Sequence, residues 1–566
     1  MIHNTRNPLG PEHLQHLTPE MTQALMAYLN LPPVGCINDR TYIPGWGEGT
    51  EDPYEIAPRT RNALLERRGQ EGRFNSLGQL LDVSDFGVSQ FEDIILRLSN
   101  LERYGNRVRP VWGGPQANEA FFEILESAQK YIHISTYIVG GQAGLKLARL
   151  LARKVKEGVK VRIMFCATGF VISGSPSGTG FVSRFSELRS WLFNDMYVRK
   201  KIIAELKENN VPFINNVPIG RHWRRRDLRA QGVKNEKAYF QWLKSRGIPD
   251  DWAQEQAMID RECTFGFSNV DHRKMVIVDG DRAFIGSQNL ADSYFYENEL
   301  HEDPNVNWRN WQWHDNSAIL EGGAVRQLNQ MFAQRWMLSG GDMYDYTDSF
   351  YNPPAKRVGN AAVAIEATIP GGVKLPIAKN WKGFLATFFG FDVRPVSEGK
   401  NPIKERLLQL PRMATKNFYV EHCYPADASL LEYWAGLAAN VPEFQMVVPH
   451  HYDTKVLGTE CDRYYPELTE AGVQLHGFNR AIMHSKILVM DGYYVAMGSY
   501  NLTLRSARAD LENEFFIQCA DYGIAVRDRI RGDFNECTPV VPAPLDRYRS
   551  RRSVPVIDAL FRYLLL

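Results

Sequence analysis

The sequence has no long apolar run free of helix breakers, no excess of charge of either sign, and few cysteines. Its longest tempting stretch, Ile163 to Ser183, is uncharged but contains ISGSPSGTG. A membrane helix through those glycines and Pro176 is costly, so a strand entering a loop is expected there. The opening MIHNTRNPLG lacks the basic-then-apolar pattern of a secretory signal, and a lipid surface, if met, is expected to be met peripherally from the cytoplasmic side. Sixty-six basic against 65 acidic residues leave a net charge of +1, which removes bulk electrostatics as a reason to bind nucleic acid. The seven cysteines (36, 166, 263, 423, 461, 519 and 537) follow neither a disulfide framework nor a metal-ligand spacing, as in a reducing compartment.

What is present is a 566-residue chain, 44% hydrophobic and 23% charged, enough for at least two domains. Residues 1–105 carry short helical patterns. Within them FNSLGQLLDVSDFGVSQFEDII has a helix, glycine turn, helix rhythm with a single turn glycine, Gly87, and reads as a helical cap. From about 115 the texture becomes α/β. ANEAFFEILESAQK is helical, YIHISTYIV a buried strand, LKLARLLARKVKEG an amphipathic helix and VKVRIMFC a strand. The second half replays this order with IKERLLQLPRMA, KNFYVEHCYP, ASLLEYWAGLAANV and EFQMVVPH, after a segment rich in turn residues (YNPPAKRVGN, TIPGGVKLP). The expected division is a helical region (1–105), a first lobe (106–340), a linker and lobe-packing segment (341–400), a second lobe (401–537) and a basic, apolar tail (538–566).

Two stretches carry the chemistry. DHRKMVIVDGDRAFIGSQNL (271–290) returns 212 residues downstream as MHSKILVMDGYYVAMGSYNL (483–502). His272, Lys274 and Asp279 share their spacing with His484, Lys486 and Asp491, and Gly286, Ser287 and Asn289 share theirs with Gly498, Ser499 and Asn501. Residues two apart on extended chain face the same way, so each copy presents an imidazole and an ammonium to one space, with an amide and a hydroxyl nearby. Two such sets surround one phosphodiester. An imidazole titrates near neutrality, so one ring can attack phosphorus while its partner protonates the leaving oxygen. The lysines compensate phosphoryl charge, and no metal or other cofactor is expected. Asp279 and Asp491 each precede a glycine between apolar strands, which also suits a turn-holding role.

HRKMVIVD with GSQN, and HSKILVMD with GSYN, resemble both copies of the phospholipase D superfamily signature. Over about residues 110–535 the chain is most similar to bacterial cardiolipin synthase-like members. The resemblance implies two similar α/β/α sandwich lobes in pseudo-twofold relation, with the active site between them, and a small helical region added at the N-terminus. It implies phosphatidyl transfer or hydrolysis through a phosphohistidine, with His272 as nucleophile and His484 as general acid/base, although the near-symmetric pair does not itself order them. The family's imidazole-orienting carboxylates correspond to Asp315 (WHDNSAIL) in the first copy and Glu512 (DLENEFF) in the second, with Glu514 on the same face. The chain departs from cardiolipin synthases in having Gly286-Ser287 where they carry Gly-Gly. It also has Thr503 at a usual aspartate position, while keeping Arg505 and Ser506, and N-terminal membrane helices like theirs are not expected.

The expected partners are a glycerophospholipid with water or an alcohol, and an anionic membrane surface. FLATFFGF (384–391), RHWRRRDLR (221–229) and RYRSRRSVPVIDALFRYLLL (547–566) are the stretches that suit such a surface, each also readable as packing or solvated chain. No protein partner is expected. A nucleic-acid phosphodiesterase and a non-catalytic lipid-binding protein are the alternatives.

Overall fold

A computed structural model describes residues 8–30, 58–83, 86–165, 198–215, 226–262, 270–296, 312–370, 399–452 and 455–542. The aromatic stretch 384–391, the tail 547–566 and residues 221–225 of the basic run lie outside them.

The first half supplies β1 (Tyr104–Trp112), β2 (Tyr131–Thr136), β3 (Lys160–Phe165), β4 (Phe213–Asn215), β5 (Met275–Val278), β6 (Arg282–Gly286), β7 (Trp313–His314) and β8 (Asn316–Glu321). The second supplies β9 (Ala361–Ala367), β10 (Asn417–His422), β11 (Glu443–Pro449), β12 (Gln474–Phe478), β13 (Ile482–Met483), β14 (Lys486–Met490), β15 (Tyr494–Gly498), β16 (Asn513–Gln518) and β17 (Cys537–Pro539). All but β7 and β13 form one sheet in the order β17-β12-β11-β10-β14-β15-β16-β9-β1-β8-β6-β5-β2-β3-β4. Read outward from the β9–β1 junction, the two sides have matching connectivity, and among the described residues β17 is the one addition. The duplication is thus built as two half-sheets joined edge to edge by a short antiparallel pairing of β1 with β9.

The apolar runs of the repeated motif follow from burial on both faces. Met275 and Ile277 of β5 and Ile487 and Val489 of β14 enter one core, which spans both halves. Their alternates enter separate cores. Val276 and Val278 pack with the first half's helices, and Leu488 and Met490 with the second's. Helices Pro115–Glu126 and Gly141–Lys156 cover one face of the first half, and Pro402–Met413 and Ala428–Ala438 the matching face of the second. The opposite face carries helices Val325–Leu338 and Ala520–Phe534.

The segment 341–400, expected as a linker and lobe-packing segment, contains β9, a central strand that pairs with β16 over Ala362–Ala367 and joins the halves through β1. Its local sequence, AAVAIEA, is a weak strand former, and its conformation comes from its two neighbours. The helix-turn-helix rhythm near Gly87, read from the sequence as a helical cap, is a packing unit. Leu80, Phe91, Ile94 and Leu98 are buried in a core that also takes Tyr104 and Ala362, so this region caps the junction of the two half-sheets.

Candidate active site

His272 and His484 sit on extended chain just before β5 and β14, each fixed by a backbone bond to the other half. The His272 amide donates to the Leu511 carbonyl at 2.9 Å, and the His484 amide to the His314 carbonyl at 2.8 Å. The side chains cross over in the same way. His272 Nδ1 lies 3.0 Å from both carboxylate oxygens of Glu512, and His484 Nδ1 lies 2.8 Å from Asp315 Oδ2. The sequence assigns one carboxylate to each copy. The fold exchanges them, so each imidazole is oriented by the half that does not carry it. When these carboxyls are ionised they can only accept, so each Nδ1 then donates and each Nε2 is the basic nitrogen, with Lys486 Nζ 3.2 Å from that of His484. Glu514, the alternative to Glu512, pairs in register with Gly498 and does not meet the imidazole.

The glycine-serine pairs act on these carboxylates. Ser287 Oγ donates to Asp315 Oδ1, and Ser499 Oγ donates to Glu512 Oε2 at 2.5 Å. A Cβ at Gly498 would overlap the Asn513 carbonyl, so glycine is what lets β15 approach β16 this closely. The serines are therefore carboxylate anchors, where the sequence suggested phosphate donors. Ser506, at the end of NLTLRS, gives Glu512 a further bond of 2.6 Å. It is placed by a helix whose N-cap is Thr503, which explains the tolerance of threonine there.

Asn289 and Asn501 flank the site. Asn289 Nδ2 donates to the Tyr294 hydroxyl at 3.0 Å and its buried Oδ1 has no partner, while Asn501 Oδ1 accepts from the Cys423 thiol at 3.4 Å. Lys274 and Lys486 are buried, and their Nζ atoms donate to the carbonyls of His272 and His484 at 2.8 and 2.9 Å. The site is walled by aromatic rings, of which the sequence marked Tyr294, within the aromatic loop YFYENEL, but not Tyr137 or Trp313. Tyr137 lies edge-on to His272 at 5.0 Å, and Tyr294 and Trp313 each lie 5.2 Å from His484. Position in the sequence carried no signal for Tyr137 and Trp313, because they come from strand ends whose approach is set by the fold.

Asp279 and Asp491 are not brought into this cluster. Each lies at the far end of a strand from its histidine, about 20 Å along extended chain. Each has a positive φ, 54° and 52°, in the turn before a glycine. Asp279 accepts from the amides of Gln129, Lys130 and Tyr131, and Asp491 from those of Thr415, Lys416 and Asn417. They tie the turn to the start of β2 and β10. Asp279→Ala strands three amides and puts alanine at a left-handed position, so the urea-unfolding free energy should fall by about 2–4 kcal/mol. The activity of the remaining folded protein should change little.

Burial sets the charge state. It pushes the Asp315 and Glu512 carboxyls up to about 7 and the imidazoles of His272 and His484 well down, the latter with help from the two lysines. The Lys274 ammonium is brought down to about 7, chiefly by burial and then by Lys486. Above pH 7 the substrate-free site therefore holds a largely neutral Lys274. An oxyanion restores its proton, so tungstate binding at pH 8 should take up close to one proton, and its affinity should fall as pH rises above about 7. Calorimetry in buffers of different ionisation enthalpy measures this directly. Proton-neutral binding would show that neither Lys274 nor His484 gains a proton when an oxyanion enters.

Among the described residues, one group of side chains could hold a metal: His314, Glu421 and Asp533, all buried, with donor atoms within 4.8 Å of one another. It lies behind the His484 side of the site. Also among the described residues, no helix is long and apolar enough to cross a membrane.

Comparison with known proteins gives a consistent family. The family model "Cardiolipin synthase, PLD-like domain" matches residues 121–336 and 407–537, which hold every site residue named above. The cardiolipin synthase of Geobacillus thermodenitrificans (strain NG80-2) is 24% identical over 432 residues, 75% of this chain and 66% of that protein. The cardiolipin synthase of Geobacillus kaustophilus (strain HTA426) is 23% identical over 72% of this chain and 62% of its own length. The chain thus spans just under two thirds of these relatives. Among solved structures, phosphatidylserine synthase of Haemophilus influenzae Rd KW20 aligns with a TM-score of 0.49 and 12% identity, covering 83% of this chain and 98% of its own.

Proposed function

This chain belongs to the cardiolipin synthase, PLD-like domain family, and from that membership and the site's geometry we propose that it transfers a phosphatidyl group from a glycerophospholipid to an alcohol or to water. The observation that carries this reading is the exchanged pairing, in which Glu512 holds His272 and Asp315 holds His484. It makes one composite site from two incomplete ones.

In the proposed reaction His272 Nε2 attacks phosphorus, the bond to the departing headgroup oxygen breaks, and His484 as imidazolium gives that oxygen its proton. The acceptor hydroxyl then loses its proton to His484, its oxygen attacks phosphorus, and the bond to His272 breaks. The neutral imidazoles favoured by burial suit the attacking role. The incoming diester's negative charge offsets the lysines that hold His484 down, and so favours its protonated form. Lys274 and Lys486 neutralise the phosphoryl oxygens, and the step is written without a divalent ion. The aromatic wall favours transfer to an alcohol by limiting water. Contact with an anionic membrane surface is part of the reading and rests on the basic and apolar run at 547–566.

The test supplies the full chain in EDTA with vesicles of labelled phosphatidylglycerol, beside labelled single-stranded DNA, while glycerol and ethanolamine are varied. Cardiolipin, phosphatidic acid or a headgroup-exchanged lipid supports the reading and names the acceptor. Cleavage of the DNA with the lipid left intact would overturn it in favour of a nuclease.

A further inference from the structure

The exchanged pairing leaves one asymmetry. The carbonyl that receives the His272 amide belongs to Leu511, whereas the one that receives the His484 amide belongs to His314. An apolar side chain stands behind one imidazole and an ionisable one behind the other. His314 Nε2 lies 2.7 Å from Glu421 Oε1 and 3.6 Å from Asp533 Oδ2, and Arg529 reaches the other Asp533 oxygen at 3.2 Å. Two carboxylates thus face one guanidinium and one imidazole, and the cluster is neutral when His314 carries a proton. A divalent ion in place of that proton would leave excess positive charge in a buried space, which argues for an ion cluster over a metal centre.

We propose that His314 and Glu421 are positioning residues for His484, locking the Asp315–His484 pair across the boundary between the halves; this deepens the phosphatidyl-transfer reading and rests on it. His314 is the neighbour of Asp315, so its side chain anchors the backbone from which Asp315 reaches the imidazole. Glu421 lies on β10, where it pairs in register with Ile487, the residue after Lys486. One buried ion pair therefore ties the strand that delivers the carboxylate to the sheet that delivers His484. Asn316 continues the brace, its Oδ1 accepting from Ser485 Oγ at 2.5 Å and from the Lys486 amide at 3.2 Å. The His272 side has Leu511 in the corresponding place, braced by Ser506 on Glu512 and by Asp510, which accepts from the Val270 amide and from Arg505. The two imidazoles are alike in their carboxylate bond and unlike in what supports it.

The experiment compares full-length wild type with His314→Gln, Glu421→Gln and His314→Arg on phosphatidylglycerol vesicles. Both glutamine variants should lose about 10–100-fold in kcat with little change in KM. His314→Arg, which returns a cation shaped for carboxylates, should recover most of that loss. A second readout needs no turnover: nitrogen-15 NMR of labelled histidines, with the His484 signal identified by its loss in His484→Gln. Wild type should show His484 as the Nδ1–H tautomer, and the glutamine variants a mixture. Unchanged kcat and an unchanged tautomer would overturn the proposal, as would a lower melting temperature with kcat intact. If wild type turns over no phospholipid, the functional reading has failed, and the tautomer alone decides the positioning role.

Discussion

His272→Ala should abolish phosphatidyl turnover, with kcat on vesicles of labelled phosphatidylglycerol reduced by about 10⁴-fold or more. The expectation follows from position. The imidazole is buried, fixed at its amide by Leu511 and at Nδ1 by Glu512, and left with one basic nitrogen. Both lysine Nζ atoms are held against the histidine carbonyls, at 2.8 and 2.9 Å. His484→Ala should differ in kind. The nucleophile remains, so a phosphatidyl-enzyme can form slowly, but the acceptor has lost its base and the adduct should persist. A neutral detergent quench followed by rapid digestion should place the label on the His272 peptide in His484→Ala, and leave His272→Ala unlabelled. Label on the His484 peptide would exchange the two roles without disturbing the chemistry. Label on neither histidine, with turnover continuing in both variants, would remove the covalent mechanism.

Much of this was legible before any coordinates, and what was not has identifiable causes. The motif strands declared themselves because β5 and β14 are buried on both faces, which demands continuous apolar residues between a polar start and a turn. The site histidines and lysines were legible because the chain states them twice. β9 was hidden because its strand character resides in its partners β1 and β16, which are distant in sequence, and its own alanines say little. The exchange of Asp315 and Glu512 was hidden for another reason. Equal spacing within each copy is satisfied by both the crossed and the uncrossed pairing, and only the edge-to-edge joining of the half-sheets chooses. The choice between Glu512 and Glu514 was beyond parity, since residues two apart on extended chain face the same way, and the structure puts Glu512 just before β16 and Glu514 within it. The choice is made by backbone anchoring, in which the Glu512 amide donates to Thr368 Oγ1 at 2.8 Å. The serines were assigned to the wrong partner because a hydroxyl's bond depends on how closely two strands approach, and that is set by the glycine before it.

The exchanged carboxylates give the second large effect, and they separate the two chemical steps. Glu512→Gln and Asp315→Asn keep the volume of each side chain and remove its charge. Each should lower kcat on phosphatidylglycerol by about 10²–10⁴-fold, the scale of losing a carboxylate that fixes an imidazole tautomer. The loss has a different origin in each case. Glu512 stabilises positive charge that develops on His272 as its bond to phosphorus forms, which every substrate requires. Asp315 stabilises His484 as imidazolium, which is required only when the leaving oxygen needs a proton. A p-nitrophenyl phosphodiester of the same lipid has a leaving group that departs as the anion. On that substrate Asp315→Asn should release a fast burst of about one equivalent of p-nitrophenolate, because attack no longer waits for the acid. It should then turn over slowly, because His484 is still a poorly oriented base for the acceptor. Glu512→Gln should show no burst, since its defect lies in the attack itself. Equal losses on both substrates in both variants would mean that the carboxylates brace the fold in common, and the division of labour between the two imidazoles would have to be abandoned. A burst in Glu512→Gln and none in Asp315→Asn would instead make His484 the nucleophile, with its carboxylate supplied by the half that carries His272.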